Sequence, residues 1–242
     1  PYLLRMLLPL AMVPVALYFY LATTQSSVAV GGMLSASPEG ARSALGVLAR
    51  NLVTFPELYA GALGFLPLGW LDTPMPGIVW VLSCFVVTGL LFTAMGSWSK
   101  RVALILAGLA GVLIALPLYV LQKGMNYVGE EVQPRYLFPL MAVFLLLALV
   151  NFNPAKRLLS RLQSLTVLVF LIVGNAVALY LNTKRYVSGI DTGLGLSLDG
   201  NIEWWWQGMP SPMSVWALGA LAFGIALFAG SKLVSAAEKT LS

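Results

Sequence analysis

The sequence predicts an all-α integral membrane protein with about six transmembrane helices. Hydrophobic residues make up 59% of the 242 residues and charged residues only 10%, so no single soluble core can cover the apolar side chains. The apolar runs are also long, whereas a membrane β-barrel shows short alternating segments. Long helices satisfy their own backbone hydrogen bonds in lipid, and a helical bundle is therefore the expected fold.

Six apolar runs approach the roughly 20 residues that a helix needs to cross about 30 Å of hydrocarbon. They are Leu3 to Leu21, Gly77 to Met95, Val102 to Leu121, Arg135 to Val150, Leu162 to Leu181 and Met213 to Gly230. We therefore expect one multi-span membrane domain over residues 1–242. Because the sequence starts at Pro1 without a methionine or a signal peptide, we expect it to be the C-terminal part of a longer chain.

The basic residues predict how these spans are oriented. If Arg5 is cytoplasmic, alternating crossings place seven further basic residues on the cytoplasmic side: Lys100, Arg101, Lys156, Arg157, Arg161, Lys232 and Lys239. Glu238 is the only acidic residue on that side. An excess of Lys and Arg marks cytoplasmic loops. We therefore expect a multi-pass membrane protein with both ends of this chain in the cytoplasm. The net charge of +5 then reflects contact with anionic lipid and gives no reason to expect a nucleic-acid partner.

The residue types exclude several kinds of chemistry within this sequence. It contains no histidine, which excludes imidazole metal sites and nucleophiles activated by histidine. Its one cysteine, Cys84, lies inside the second run, where packing explains it. No acid or base falls in the middle of a run, although ion-coupled transporters carry such groups at membrane depth. This pattern argues against a transporter, but a lipid-linked glycan transporter and a non-catalytic scaffold subunit remain as alternatives.

Two outer segments, residues 23–76 and 183–212, hold much of the polar sequence. The first predicts an amphipathic helix on the outer membrane surface, ending or bending at Pro56. Its apolar residues recur at helical spacing: Leu45, Leu48, Leu52, Phe55 and Tyr59. Asp72 or Thr73 is placed to cap the second span. Asp72 is alternatively an acid, a base or a hydrogen-bond acceptor for a substrate.

The second outer segment carries a partial metal pattern and three tryptophans. Asp199, Asn201 and Glu203 alternate like the start of a calcium loop, but the required glycine and closing glutamate do not follow. We therefore identify no metal site and no cofactor, and a divalent metal is left open. The run from Trp204 to Trp206 predicts an aromatic belt at the membrane interface, or a face for sugar rings or isoprenoid chains.

The segment from Glu130 to Pro139 concentrates charge where the fourth run begins. Pro134 suits a first helical position with Gln133 near the cap, which places Arg135 beside unpaired backbone amides. A guanidinium and free N–H groups suit an anion, and at the outer face of a membrane that anion is a lipid phosphate or pyrophosphate. Glu130 and Glu131 are candidates for catalytic acids, or they neutralise Arg135.

Two segments resemble the C-terminal half of bacterial membrane proteins of domain-of-unknown-function family 2142. These segments are Gly69 to Pro76 and Gln133 to Leu140, and the resemblance extends over about Gly64 to Val150. It implies a relation to the glycosyltransferase C superfold, whose multi-span enzymes move a sugar from a polyprenyl-phosphate donor to an acceptor on the outer face.

The resemblance implies that the chain is such a glycosyltransferase, or its C-terminal half, acting on a cell-envelope glycan. Its partners would be membrane lipids, a polyprenyl-phosphate-linked sugar and a glycan acceptor, and a partner chain is left open. The implied substrate contacts are Arg135, Gln133, Tyr136, Lys123, Arg185 and Trp204. Within this sequence the catalytic candidates are Asp72, Glu130 and Glu131, although the resemblance implies that the catalytic acid lies outside it.

Overall fold

The computed structural model describes residues 42–67, 73–130, 132–150, 159–189, 195 and 197–241, together with Pro14 and Tyr18. These residues form helices, and no strand is found among them. The elements are α1 (Ala44–Ala62), α2 (Gly77–Met95), α3 (Lys100–Gly124), a 3₁₀ turn (Pro134–Leu137), α4 (Phe138–Leu149), α5 (Arg161–Ser188) and α6 (Pro212–Leu241). The predicted all-α class is confirmed.

Four of the described helices are long and apolar enough to cross a membrane: α2, α3, α5 and the Pro212–Leu233 part of α6. They correspond to the second, third, fifth and sixth predicted runs. The fourth run forms the shorter helix Pro134–Leu149, which at about 1.5 Å per residue covers only about 24 Å. The first run lies outside the described residues except for Pro14 and Tyr18. The predicted count of six spans is therefore not confirmed.

The apolar side chains of these spans are mostly uncovered by protein. The buried share is 17% for α2 and 22% for α3, and falls to 6% for α5 and 0% for α6. Apolar surface of this extent is unfavourable in water. The four helices therefore carry the outward-facing apolar surface that contact with lipid requires.

The chain divides into two compact units, each described here on its own. The first comprises the described residues up to Phe55 together with Ala115–Val132, and the second comprises Pro56–Ile114 and Gln133–Ser242. Helices α1 and α3 contribute residues to both.

In the second unit, α5 packs antiparallel to α2. Gly174 of α5 lies beside Val79, where an added Cβ would be 3.8 Å from the Val79 carbonyl oxygen. Farther along α2, Phe85 meets Phe170 edge to face, with ring centroids 6.2 Å apart. Later residues of α2 thus pair with earlier residues of α5, so the two helices run in opposite directions.

Helix α6 packs antiparallel to α5 in the same way. The indole Nε1 of Trp216 donates a hydrogen bond to the Ala176 carbonyl at 2.8 Å, and Gly224 lies beside Ile172. Ser160 and Gln163 form a capping box at the start of α5, which satisfies two backbone amides reciprocally.

Helix α4 runs parallel to α2, and the chain before and after α2 contacts its two ends. At its start, Pro134 packs so closely against Gly61 that a Cβ on the glycine would lie 2.7 Å from the proline Cγ. At its end, the Trp98 indole donates to the Ala148 carbonyl at 2.9 Å. The short helix therefore lies alongside α2 from the beginning of α2 to the hinge that follows it.

These pairings gather four basic residues at one end of the second unit. The residues are Lys100, Arg101, Arg161 and Lys232. The opposite end holds the 3₁₀ turn, the last turn of α5 and the loop of residues 197–211. The arrangement agrees with the positive-inside pattern, while the orientation in the cell stays a prediction.

Helix α1 forms where the amphipathic helix is predicted, with two differences. It continues through Pro56 to Ala62, so the helix does not end near Phe55, and the alternative of a bend there stays a prediction. Its apolar stripe faces outward, since Leu45 is 77% and Leu52 is 50% exposed, whereas the polar Asn51 is buried. An open apolar stripe is what an interfacial helix presents to lipid, and its location on the membrane surface stays a prediction.

The predicted cap of the second span is not found at Thr73. Helix α2 begins at Gly77 with Pro76 in the N-cap position, and no side chain caps it. Proline has no side-chain acceptor for that purpose. Thr73 is instead buried, and Asp72 lies outside the described residues.

Candidate functional site

The residues predicted to form a site lie in three separate parts of the chain. Gln133, Arg135 and Tyr136 belong to the 3₁₀ turn of the second unit, and Arg185 and Trp204 lie at or after the end of α5 in that unit. Lys123 and Glu130 belong to the first unit. Asp72 and Glu131 lie outside the described residues.

The 3₁₀ turn has the local geometry that the sequence predicts. Gln133 is its N-cap in extended conformation, with φ −82° and ψ 133°, and Pro134 occupies the first position. The Tyr136 amide closes the turn on the Gln133 carbonyl at 3.1 Å. Arg135 therefore lies in the first turn, as predicted.

The side chains of this turn divide into buried and exposed groups. Gln133 is buried, whereas Arg135 and Tyr136 are exposed. The Arg135 guanidinium carbon lies 5.8 Å from the Tyr136 ring centroid, within the range of a cation–π contact. The turn thus presents a positive charge and an aromatic ring on its surface.

An apolar groove of about 370 Å³ runs along α2 in the same unit. It is lined by Trp80, Val81, Cys84, Phe85, Thr88, Gly89 and Phe92. This helical spacing makes the groove one continuous face. With its almost wholly apolar wall, it can hold a hydrocarbon chain and offers little to a polar ligand.

The groove begins close to the 3₁₀ turn. Phe65, in the turn after α1, meets Trp80 edge to face with centroids 5.2 Å apart. The same stretch of chain contacts Pro134 through Gly61. Residues 61–66 therefore contact both Trp80, at the beginning of the groove, and Pro134 of the 3₁₀ turn.

A second group of predicted residues lies at the end of α5. The Val187 carbonyl accepts hydrogen bonds from the amides of Glu203 at 2.8 Å and Trp204 at 3.2 Å, which fastens the loop to the helix. Trp204 is exposed and stacks edgewise on Trp206, with centroids 4.6 Å apart. The structure thus brings Trp204 close to the end of α5 that carries Arg185.

Arg185 and Arg135 lie at different levels along the bundle. Gly174 is level with Val79 at the start of α2, and Arg185 follows eleven residues later, about 16 Å farther along the α5 axis. Arg185 donates from Nη1 to the Tyr186 hydroxyl at 3.1 Å. Arg185 therefore lies well beyond the level at which α5 meets the start of α2.

Asp199 caps α6. Its Oδ1 accepts the Met213 amide at 2.9 Å and its Oδ2 accepts the Ser211 hydroxyl at 3.0 Å. A carboxylate at a helix N-terminus also interacts favourably with the helix dipole. This role accounts for Asp199 without a metal, and no group of three potential metal ligands occurs in the described parts of the chain.

In the first unit, Glu130 forms an ion pair with Arg42. Arg42 donates from Nη1 and Nη2 to the two carboxylate oxygens at 2.8 and 3.1 Å, and the Tyr127 amide donates to Glu130 at 2.7 Å. Partial burial raises the pKa of the Glu130 carboxyl, but the bonds from Arg42 and Tyr127 and the charges of Arg42 and Arg50 outweigh it and lower the pKa. A carboxyl held ionised in this way is a poor general acid near neutral pH.

The Tyr127 ring lies within cation–π distance of two guanidinium groups. The guanidinium carbon of Arg42 is 4.3 Å from its centroid and that of Arg50 is 4.0 Å. Asn51 holds the same loop, because its side-chain amide nitrogen donates to the Asn126 carbonyl at 2.9 Å and its side-chain oxygen accepts the Val128 amide at 3.1 Å.

Lys123, at the end of α3, is exposed and lies 6.0 Å from the Tyr119 ring centroid.

The sequence does not predict this cluster of Arg42, Arg50, Asn51 and Tyr127. Arg42 and Glu130 are 88 positions apart, and Asn51 and Asn126 are 75 apart, so no local spacing connects them.

A family model described as "Predicted membrane protein (DUF2142)" matches residues 4–144 of the chain. The matched range contains the Arg42–Glu130 pair and Arg135, and ends before Arg185 and Trp204. No curated protein and no solved structure matches the chain.

Proposed function

The chain belongs to this family of predicted membrane proteins, and we propose that it holds a polyprenyl-phosphate-linked sugar for glycosyl transfer at the outer face of a bacterial cytoplasmic membrane. It acts either as the glycosyltransferase or as the membrane half of one. The acceptor is a cell-envelope glycan. The catalytic base comes from a part of the protein other than the Glu130 pair.

The observation that carries the proposal is the combination of Arg135 with the apolar groove on α2. Polyprenyl phosphate is an amphiphile with an anionic head and a long hydrocarbon chain. A groove lined by residues such as Trp80 and Phe92 suits the chain, and the exposed Arg135 near its beginning suits the phosphate. A guanidinium binds phosphate through paired N–H bonds.

The proposed roles follow from this placement. Arg135 binds the donor phosphate and stabilises the negative charge that grows on it as the sugar departs. Tyr136, beside Arg135, packs against the head group. Arg185, about 16 Å beyond Gly174 along α5, and Trp204, in the loop fastened to the end of α5, contact the sugar or the acceptor, since a flat indole face suits a sugar ring.

The experiment is a comparison of polyprenyl-phosphate binding by the purified full chain and by Arg135→Ala. We expect the variant to bind about tenfold more weakly or worse, because a charge-assisted contact is lost. Arg101→Ala is the matched control, since Arg101 is an exposed arginine at the opposite end of the unit. Equal binding by wild type and Arg135→Ala, with both proteins folded, would falsify the assignment of Arg135 as the phosphate ligand.

A further inference from the structure

We propose that Arg50 and Tyr127 form a second phosphate-binding site, which takes the oxyanion of an anionic phospholipid head group or of free phosphate. The site lies in the first unit and does not depend on the proposed function. It is built from residues of α1 and of the loop after α3.

Contact with the Tyr127 ring does not use the hydrogen-bonding capacity of Arg50. Its guanidinium carbon lies 4.0 Å from the ring centroid, and a cation–π contact of this kind leaves the N–H groups for acceptors in the guanidinium plane. Arg50 is exposed, and no hydrogen-bond acceptor is found for it in the parts of the chain that the structure describes. A planar edge of this kind binds a phosphate through two parallel N–H bonds.

Arg42 differs from Arg50 in this respect. Its Nη1 and Nη2 donate to Glu130, and Nη1 also donates to the Met125 carbonyl at 3.0 Å. Glu130 therefore balances the charge of Arg42. The positive charge of Arg50 remains, so the cluster of Arg42, Arg50 and Glu130 carries a net charge that attracts an anion.

The loop beside the ring holds hydrogen-bonding groups that the described residues do not use. Asn126, directly before Tyr127, is 0% exposed, and among the described residues neither its amide nitrogen nor its amide oxygen has a partner. A buried amide without a partner destabilises a folded protein unless a ligand or water satisfies it. The loop next to Arg50 therefore has polar capacity that the described side chains leave unused.

The surroundings of Arg50 favour a lipid as the source of the phosphate. Val53, one turn away on α1, is 79% exposed, and Leu45 and Leu52 are also exposed. Arg50 therefore lies next to a strip of exposed apolar side chains on the surface of α1. A helix with this pattern lies at the membrane interface with its apolar side toward the acyl chains and its basic residues level with the lipid phosphates.

The test uses the purified full chain in mixed micelles of phosphatidylcholine and phosphatidylglycerol. Retained lipid is counted by native mass spectrometry for wild type, Arg50→Ala, Arg50→Lys and the control Arg101→Ala. We expect Arg50→Ala to retain phosphatidylglycerol about tenfold more weakly. Arg50→Lys should be intermediate because it keeps the charge and loses the planar edge.

A second arm separates the two sources of the oxyanion. The site is a general phosphate site if inorganic phosphate displaces phosphatidylglycerol from wild type and binds to Arg50→Ala more weakly than to wild type. Lipid retention that depends on Arg50 and is unaffected by inorganic phosphate indicates a lipid site. Circular dichroism checks that each variant is folded, and Tyr127→Leu replaces Arg50→Ala if that variant does not fold. The proposal is overturned if the folded variant retains both probes as tightly as wild type does.

Discussion

Glu130 connects parts of the chain that are distant in sequence. Its carboxylate accepts hydrogen bonds from Arg42 and from the Tyr127 amide, and Arg42 in turn contacts the Tyr127 ring. The ion pair is part-buried, with 15% of the Arg42 and 35% of the Glu130 side chain exposed. Because water screens such a pair only in part, we expect a modest contribution to stability.

The lowered pKa of Glu130 predicts how stability depends on pH. The ionised form is favoured in the folded state, so its contribution is present above the ordinary glutamate pKa of about 4.3. It is lost as the pH falls through the lower pKa of the folded protein. Glu130→Gln should therefore be less stable than wild type by about 1 kcal/mol at neutral pH, and the difference should shrink in acid.

Thermal unfolding of the purified protein at a series of pH values measures this difference. Glu57→Gln serves as the control, since Glu57 is an exposed glutamate on α1. The same pH dependence in wild type and Glu130→Gln would show that the ion pair does not contribute.

The contact between α1 and the 3₁₀ turn positions Arg135. Gly61 lies in the last turn of α1, and an added Cβ would lie 2.7 Å from Pro134 Cγ and 2.8 Å from Leu66 Cδ1. The proline ring is rigid and cannot yield as a flexible side chain can. The close approach therefore depends on glycine at position 61.

Gly61→Ala should destabilise the protein by about 1–3 kcal/mol, the usual penalty for overpacking. Gly108→Ala is the matched control, because that glycine lies within α3 and its added Cβ meets nothing within 4 Å. Replacing this helical glycine with alanine should leave the stability unchanged or raise it slightly. Thermal unfolding measures the stability of both variants. A Gly61→Ala variant as stable as Gly108→Ala would contradict the packing described for Gly61.

The helices could largely be predicted from the sequence, and the tertiary contacts could not. Long apolar runs identify α2, α3, α5 and α6 because lipid requires helices of a fixed minimum length. Pro134 likewise predicts the start of the 3₁₀ turn. Pro56 was misleading, because a proline signals a helix end only as a tendency.

The candidate site was harder to predict for a physical reason. Arg135 could be found because its position depends on local chain geometry. The partner of Glu130 could not, since Arg42 is 88 positions away and only folding brings the two together. The capping role of Asp199 was hidden for the same reason, as it acts on a helix that begins thirteen residues later.

The molecule combines a membrane-spanning surface with polar groups gathered at specific places. In the second unit, the basic hinge residues lie at one end and the Arg135 turn, the end of α5 and the tryptophan loop at the other. The apolar groove lies along α2 between these ends, from Trp80 to Phe92. This arrangement supports the binding of a lipid whose phosphate is at one end and whose chain extends along the span.

Cys84 provides the most direct measurement of that binding, because it is the only cysteine in the sequence and it lines the groove. The rate at which a membrane-permeant maleimide modifies Cys84 reports whether the groove is occupied. Polyprenyl phosphate should slow the reaction in wild type, and much less in Arg135→Ala or when polyprenol without phosphate is used. An unchanged rate with polyprenyl phosphate, or equal protection of Arg135→Ala, would contradict the account.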